Sequence, residues 1–148
     1  MQVTFYELAQ GAQPDSDTLI QKVVELVSHH YQKRQYLSVV CTNKAQAEEL
    51  DEFIWQQPAD KFIAHNLQGE GPVNGSPVEI SWLDNIGKQP IRNKKLVINM
   101  SHEYLSQFAA YQHLIDFVPS DESLKKAARE RYKEYKSAGC HMAFINAN

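Results

Sequence analysis

The stretch most suggestive of chemistry is HNLQGEGPVNGSPVEISW, residues 65–82, with three glycines and two prolines between apolar runs. Glycine-rich loops cradle phosphates in many nucleotide-binding enzymes. A P-loop requires G-x-x-x-x-G-K-[ST], but the spacing from Gly69 to Gly75 differs and no lysine follows. A dinucleotide fingerprint requires G-x-G-x-x-G, and Asn74 stands in place of its third glycine. Because Glu70 would also repel a phosphate, we expect neither hydrolysis of ATP or GTP nor nucleotide binding at this loop.

Other arrangements that could support catalysis or metal binding are incomplete. The chain has six histidines, but no two lie at i, i+4 with an intervening glutamate. His29 and His30 are adjacent, so they point in different directions on a helix. Ser101 and His102 are neighbours, but no G-x-S-x-G motif surrounds the serine. The sequence therefore predicts no catalytic residue, no metal site and no cofactor.

A basic stripe follows the last long helical segment. With advances of about 100° per residue, Leu124, Ala128 and Tyr135 cluster on one apolar face. Four residues fall together beside that face: Lys125, Arg129, Tyr132 and Lys136. One interpretation is a solvated helix face, partly neutralised by nearby glutamates. The other is a pocket for an acidic ligand that also carries an apolar group.

Trp55 is the second unusual residue. Leu50, Phe53 and Ile54 define the buried face of its predicted helix, and Trp55 lies roughly 150° from the centre of that face. Exposed tryptophans are uncommon and are enriched at interface hot spots. Phe62 could extend the same surface. The alternative is that Trp55, at the helix end, folds under the loop that follows.

Strands and helices alternate along the chain and must position these residues. Apolar or β-branched runs predict strands at 3–8, 36–42, 61–66, 77–82, 94–100 and 113–118. Helical spacing predicts helices at 14–34, 43–57 and 120–139, with a short helix from Ser101. The expected caps are Asn43 for the second helix and Ser120 or Asp121 for the last, which ends at Gly139. This alternation predicts an α/β fold with a mostly parallel sheet flanked by helices.

Length and composition limit the possible functions. A chain of 148 residues predicts one domain, residues 1–148. The net charge of −3 gives no general attraction to nucleic acid or anionic membranes. The start of the chain lacks the pattern of a signal peptide, and no run approaches the roughly 20 apolar residues of a membrane helix. Cys41 and Cys140 form no CxxC motif, so a cytoplasmic protein with reduced thiols is expected.

Three segments resemble one known family. HNLQGEGPVNGSPVEISW, IDFVP and ESLKKAARERYKEYK look like the chi subunit of bacterial DNA polymerase III holoenzyme. The similarity runs from TFYEL to Gly139, nearly the whole chain. The segments LDNIGKQPIRNK and CHMAFINAN show no family pattern.

The resemblance implies a Rossmann-like α/β fold and a non-catalytic adaptor role in DNA replication. Chi proteins pair with the psi subunit, which attaches to the clamp loader, and bind the acidic C-terminal tail of single-stranded DNA-binding protein. That tail ends in acidic residues, a short apolar segment and a terminal Phe. The family's tail-binding residues fall here on Lys125, Arg129, Tyr132, Lys133 and Val118. Its psi-facing aromatics fall on Trp55 and Phe62.

Two other classes of function are weighed against this adaptor. The first is a small α/β enzyme that acts on a nucleotide or other phosphorylated substrate, which the incomplete glycine motif disfavours. The second is direct nucleic-acid binding through the basic helix, which the acidic net charge disfavours. We therefore expect no direct contact with DNA and none with membranes.

Overall fold

The computed structural model describes residues 1–9, 15–56, 63–67, 76–83, 95–105 and 111–146. These residues form seven strands and three helices. The strands are β1 (Gln2–Glu7), β2 (Leu37–Cys41), β3 (His65–Leu67), β4 (Val78–Trp82), β5 (Leu96–Asn99), β6 (His113–Val118) and β7 (His141–Ile145). The helices are α1 (Asp15–Gln32), α2 (Lys44–Trp55) and α3 (Glu122–Ser137). The predicted α/β class is confirmed.

The strands build one sheet in the order β3-β4-β2-β5-β6-β1-β7. The sequence predicted a mostly parallel sheet, and every pairing among the described strands is parallel. The central strands are buried along their whole length, as β2 and β5 show. Burial on both faces explains why these strands are continuous apolar runs rather than alternating ones.

The last strand was not predicted. β7 lies in the C-terminal segment that shows no family pattern, and it pairs with β1 at the edge of the sheet. Its register places His141 beside Gln2 and Phe144 beside Phe5. The strand therefore adds a row of side chains next to β1, which becomes important at the candidate site below.

The helices cover the two faces of the sheet unequally. One apolar cluster joins α1 and α2 to the face that carries Val39 and Ile98. A second cluster contains Ala128 and Tyr135 of α3 with Val40, Val97 and Phe5. Successive strand residues point to opposite faces, so Val39 and Val40 belong to different clusters. Helix α3 alone thus covers the second face among the described helices.

Local signals fix the helix ends. The side chain of Asn43 accepts a hydrogen bond from the Gln46 amide at 2.9 Å, and this confirms the predicted cap. Of the two candidates for α3, Asp121 is the cap, because its Oδ2 accepts from the Leu124 amide at 3.0 Å. Gly139, just beyond the helix, has a φ of 91°, which a residue without a Cβ adopts without strain.

The short helix predicted from Ser101 is wrong for the residues that the structure describes. Residues 101–105 form bends and irregular backbone, and residues 106–110 lie outside the described ranges. His102 has a φ of 61°, in the left-handed region, which is incompatible with a right-handed helix. None of the described helices is both long and apolar enough to cross a bilayer.

Candidate functional site

An open pocket of about 330 Å³ lies where α3 meets the edge of the sheet formed by β1 and β7. Helix α3, strands β1 and β7 and the end of β6 contribute to its lining. The lining residues are Phe5, Glu7, Val118, Lys125, Ala128, Arg129, Tyr132, Lys133 and Phe144. All five residues that the sequence analysis assigned to tail binding are thus brought together around one cavity. Lys136, the last residue of the predicted stripe, is exposed and is not in this lining.

The floor of the pocket is apolar. Phe5 and Ala128 are completely buried beneath it. The ring of Tyr132 lies tilted against Phe5, with 5.4 Å between centroids, a favourable aromatic geometry. Val118 is half-buried beside them, and Phe144 remains 47% exposed at the edge. An apolar side chain entering here would contact aromatic and aliphatic carbon on several sides.

The rim of the pocket is cationic. Lys125, Arg129 and Lys133 succeed one another at intervals of four residues and so lie along one side of α3. Arg129 and Lys133 are exposed, whereas Lys125 is half-buried. Nζ of Lys125 lies 3.8 Å from Oε1 of Glu122, one turn earlier on the helix. This separation is at the outer limit of an ion pair, and an exposed pair of this kind contributes little to stability.

One carboxylate also borders the pocket. Glu7, the last residue of β1, is exposed and belongs to the lining. Its negative charge opposes the cations of α3 and would repel an anionic ligand placed near it. The electrostatic preference of the pocket is therefore directional, with the attractive charges on the helix side and the repulsive one on the β1 side.

A buried ion pair holds α3 on the sheet. Arg131 is 3% exposed and directs its guanidinium at Asp116 of β6, which is fully buried. Nε of Arg131 donates to Oδ2 of Asp116 at 3.0 Å, and Nη2 donates to Oδ1 at 3.1 Å. Nη1 donates to the carbonyl of His102 at 2.7 Å. The guanidinium thus connects α3 to both a central strand and the loop after β5.

Asn99 extends this polar network. Its Nδ2 donates to Oδ2 of Asp116 at 3.2 Å and to the carbonyl of Glu103 at 2.8 Å. Its Oδ1 accepts from the hydroxyl of Ser101 at 2.6 Å. Ser101, considered above as a possible nucleophile, is buried, and its hydroxyl bonds within the loop after β5. On the next turn of α3, the Tyr135 hydroxyl accepts from the Leu105 amide at 3.0 Å, and burial raises the pKa of this tyrosine.

Trp55 forms a second candidate surface at the end of α2. It is 56% exposed, which agrees with the first of the two interpretations of its position, an outward-facing side chain. Its indole lies against the ring of His65 in β3, with 4.9 Å between centroids. Nε2 of His65 is 2.9 Å from Oδ1 of Asp51, and Nδ1 donates to the carbonyl of Ile63 at 2.8 Å. The hydrogen bond to Ile63 orients the imidazole against which the indole packs.

Some predicted residues lie outside the described ranges. Phe62 is one of them, so its relation to Trp55 stays a prediction. The glycine-rich loop, Gly69 to Gly75, also lies outside the described ranges. Within the described part of the chain, no group of three or more histidine, cysteine, aspartate or glutamate side chains is arranged to hold a metal ion.

Sequence reasoning missed four residues, three that line the pocket and one that supports it. Phe144 was missed because it lies in the unpredicted strand β7. Phe5 was recognised only as a strand residue, and Glu7 was not considered. The register of β7 beside β1 brings Phe5 and Phe144 together, and this pairing could not be read from either segment alone. Arg131 was missed although its position on the core face of α3 could have been read from the helical wheel.

Comparison with known proteins gives consistent results. The family model "DNA polymerase III chi subunit, HolC" matches residues 1–143. The chain is 35% identical over 140 residues to DNA polymerase III subunit chi of Escherichia coli K12, covering 94% of this chain and 93% of that protein. It is 40% identical over 108 residues to the Haemophilus influenzae subunit chi, covering 73% of each. The Pseudomonas aeruginosa subunit chi is 23% identical over 137 residues, covering 93% of this chain and 90% of that one.

A solved structure shares the fold. The crystal structure of T4 UvsW superimposes with a TM-score of 0.64 at 12% sequence identity, covering 99% of this chain and 42% of that longer one. At this identity the likeness concerns the arrangement of helices and strands alone. It supports the α/β architecture that the sequence predicted.

Proposed function

The chain belongs to the DNA polymerase III chi subunit family, and from that premise we propose that it is a non-catalytic adaptor of the bacterial replication machinery. In this proposal one surface of the protein binds psi and thereby joins the clamp loader. A separate pocket binds the acidic, Phe-ended tail of single-stranded DNA-binding protein. The adaptor works in the cytoplasm and contacts the protein that coats the single strand rather than the DNA itself.

The observation that carries the proposal is the composition of the α3 pocket. A cationic rim of Lys125, Arg129 and Lys133 adjoins an apolar floor built around Phe5 and Tyr132. A peptide that ends in phenylalanine requires both features next to each other, because its terminal carboxylate and its aromatic ring belong to the same residue. Arg and Lys donors suit the carboxylates, and the aromatic floor suits the ring.

The rigidity of α3 supports the same role. The helix is fixed by the Arg131–Asp116 pair and by the Tyr135 hydroxyl. A preformed rim avoids part of the ordering cost of binding. Each single contact with a short tail is small, but a strand coated by many copies of the binding protein presents many tails. Their high effective concentration compensates for a modest affinity.

Trp55 is the proposed anchor for psi, with Phe62 extending its surface. It lies on α2, whereas the tail pocket lies on α3, β1 and β7 at the far end of the strand order. Two partners could therefore occupy the protein at the same time. Simultaneous occupancy is what an adaptor requires.

A reconstitution experiment tests this function. The protein is mixed with purified psi and a labelled tail peptide, and complexes are separated by size-exclusion chromatography. The proposal predicts a single peak that contains all three components. Mutual exclusion of psi and peptide, or failure of either to bind, would contradict an adaptor role. Mass spectrometry of proteins captured from a bacterial lysate by the tagged chain provides an independent check of both partners.

A further inference from the structure

A second pocket, of about 440 Å³, lies at the end of the sheet where the central strands β2, β5 and β6 begin. The end of α1 and the turn that follows it form one wall. The other wall is formed by the residues that lead into β5 and β6. The proposed adaptor function uses none of these residues, and the volume lies within the range of small-molecule sites.

The lining of this pocket is strongly biased in charge. It contains the two permanent cations Arg34 and Lys95 and the two imidazoles of His30 and His113, together with two glutamine side chains. Among its described lining residues there is no aspartate or glutamate. The bias is notable because the chain as a whole has 18 acidic and 15 basic residues. A cavity in such a chain that collects cations and excludes carboxylates favours an anionic occupant.

Each imidazole has a neighbouring polar group within hydrogen-bond distance. Nε2 of His113 lies 2.9 Å from the hydroxyl of Thr4, and Nδ1 of His30 contacts the side-chain oxygen of Gln35. Burial lowers the pKa of both histidines, and the nearby His30 further lowers that of His113. The permanent positive charge of the pocket comes from Arg34 and Lys95.

Two carbonyls at the end of α1 have backbone partners. Carbonyls at a helix C-terminus carry partial negative charge when they lack partners. Here the carbonyl of His30 accepts from the amides of Lys33 and Gln35, at 3.1 Å and 3.0 Å. The carbonyl of Tyr31 accepts from the amide of Arg34 at 2.9 Å. Arg34 adopts a φ of 60° in this turn, and its side chain joins the lining of the pocket.

An apolar component accompanies the cations. Tyr36, which is 45% exposed, and Leu96 both line the pocket. A ligand with an anionic head and a flat apolar body would contact both parts. A phosphate head suits Arg and Lys donors better than a single carboxylate does, because it offers three oxygens and up to two charges.

We propose that this pocket is a binding site for a phosphomonoester, with Arg34 and Lys95 holding the phosphate and Tyr36 covering the substituent. The proposal is independent of the adaptor function, because the tail pocket shares no lining residue with this cavity. The phosphate could arrive as the free inorganic ion or as an ester. The experiment below separates these two sources.

The test is isothermal titration calorimetry of the full chain with inorganic phosphate and with phenyl phosphate. We expect saturable binding of phenyl phosphate, reduced at least about tenfold by Arg34→Gln and by Lys95→Gln, each of which removes one charge-assisted contact. Arg34→Gln keeps a long side chain on the unusual backbone of this position. Lys126→Gln, which removes an exposed lysine of α3 outside both pockets, is the matched control and leaves the affinity unchanged.

The substituent is tested by Tyr36→Leu. If the ring covers an ester group, this change weakens the binding of phenyl phosphate and leaves the binding of inorganic phosphate unaffected. Equal affinities of wild type for the two anions, both lowered by the charge substitutions, would identify the free ion as the ligand and would overturn the assignment of an ester. Absence of saturable binding of either anion, or affinities that do not respond to Arg34→Gln and Lys95→Gln, would overturn the proposal.

An acidic peptide is the competing occupant. If a Phe-ended acidic peptide displaces phenyl phosphate from wild type, and Arg34→Gln weakens direct binding of that peptide while Arg129→Ala does not, the pocket is a peptide site. That result would also overturn the phosphomonoester proposal. Circular dichroism of each variant establishes that the fold is retained.

Discussion

Arg131 and Asp116 form a two-point ion pair inside the protein, with N–O distances of 3.0 and 3.1 Å and side chains that are 4% and 0% exposed. The pair joins the middle of α3 to β6. Residues on either side of Arg131 along the helix, Arg129 and Lys133, face the pocket instead. The buried pair therefore sets the rotation and position of the helix that presents the cationic rim.

Breaking this pair is expected to destabilise the fold strongly. Asp116→Ala or Arg131→Ala leaves one buried charge without its partner, which costs about 3–5 kcal/mol in the free energy of unfolding. The double variant Asp116→Leu/Arg131→Met removes both charges. Its free energy of unfolding is expected to fall by less than that of either single variant. Urea denaturation of the three variants measures these differences. Losses in the double variant equal to the sum of the single losses would show that the two side chains act independently.

The apolar edge of the tail pocket is tested through Phe144. Phe144→Ala removes an exposed ring at the pocket edge and is expected to weaken a Phe-ended tail peptide by about 1–2 kcal/mol, from the loss of one aromatic contact and its buried area. A peptide that lacks the terminal Phe should be affected much less. Isothermal titration with the two peptides checks this. If both peptides lose affinity equally, Phe144 supports the pocket in general and does not contact the terminal ring.

Substitution of Glu7 is expected to raise the affinity for the acidic peptide rather than lower it. Glu7→Gln removes the one carboxylate among the described pocket residues, and is expected to strengthen binding of the acidic peptide by roughly two- to fivefold, a typical value for one exposed charge interaction. The gain should shrink as salt is added, because exposed charges are screened. Affinities at low and high salt measure both effects. Weaker binding in the variant would mean that Glu7 contacts the peptide favourably.

The psi surface is tested through Trp55. Trp55→Ala is expected to weaken the heterodimer by more than about tenfold, since truncating a central aromatic anchor commonly costs about 2 kcal/mol or more. The melting temperature of the isolated chain should change little, because Trp55 is 56% exposed. Surface plasmon resonance with immobilised psi and thermal unfolding provide the two readouts. A variant that unfolds yet retains the intrinsic affinity would make Trp55 a core residue.

The sequence was informative where local signals determine the structure. Asn43 and Asp121 cap their helices as predicted, and the apolar runs became buried strands. It failed at β7, because an edge strand is defined by the neighbour it pairs with. The pairing with β1 is a contact between the two ends of the chain, which periodicity cannot reveal. Phe144 was therefore missing from the predicted pocket.

The omission of Arg131 has a different physical origin. Seven residues, or about two turns, separate it from Leu124, so it lies within roughly 20° of the core face. Its charge made a surface position the natural expectation, since charged residues are rarely buried unless paired. Its partner was visible as Asp116, a lone carboxylate within the apolar strand of residues 113–118. A buried strand with one carboxylate and a core helix face with one arginine together predict such a pair.

The most direct test of the adaptor account is fluorescence anisotropy with a labelled tail peptide of single-stranded DNA-binding protein, on wild type, Arg129→Ala and the control Lys126→Ala. Arg129→Ala should lower the affinity at least about thirtyfold, because losing one partner of a desolvated charge pair costs about 2–5 kcal/mol. Arg129→Lys should restore only part of it, since lysine cannot form a bidentate contact. Lys126→Ala, outside the pocket lining, should bind like wild type. Equal affinities of wild type and Arg129→Ala for the tail would contradict the proposed site.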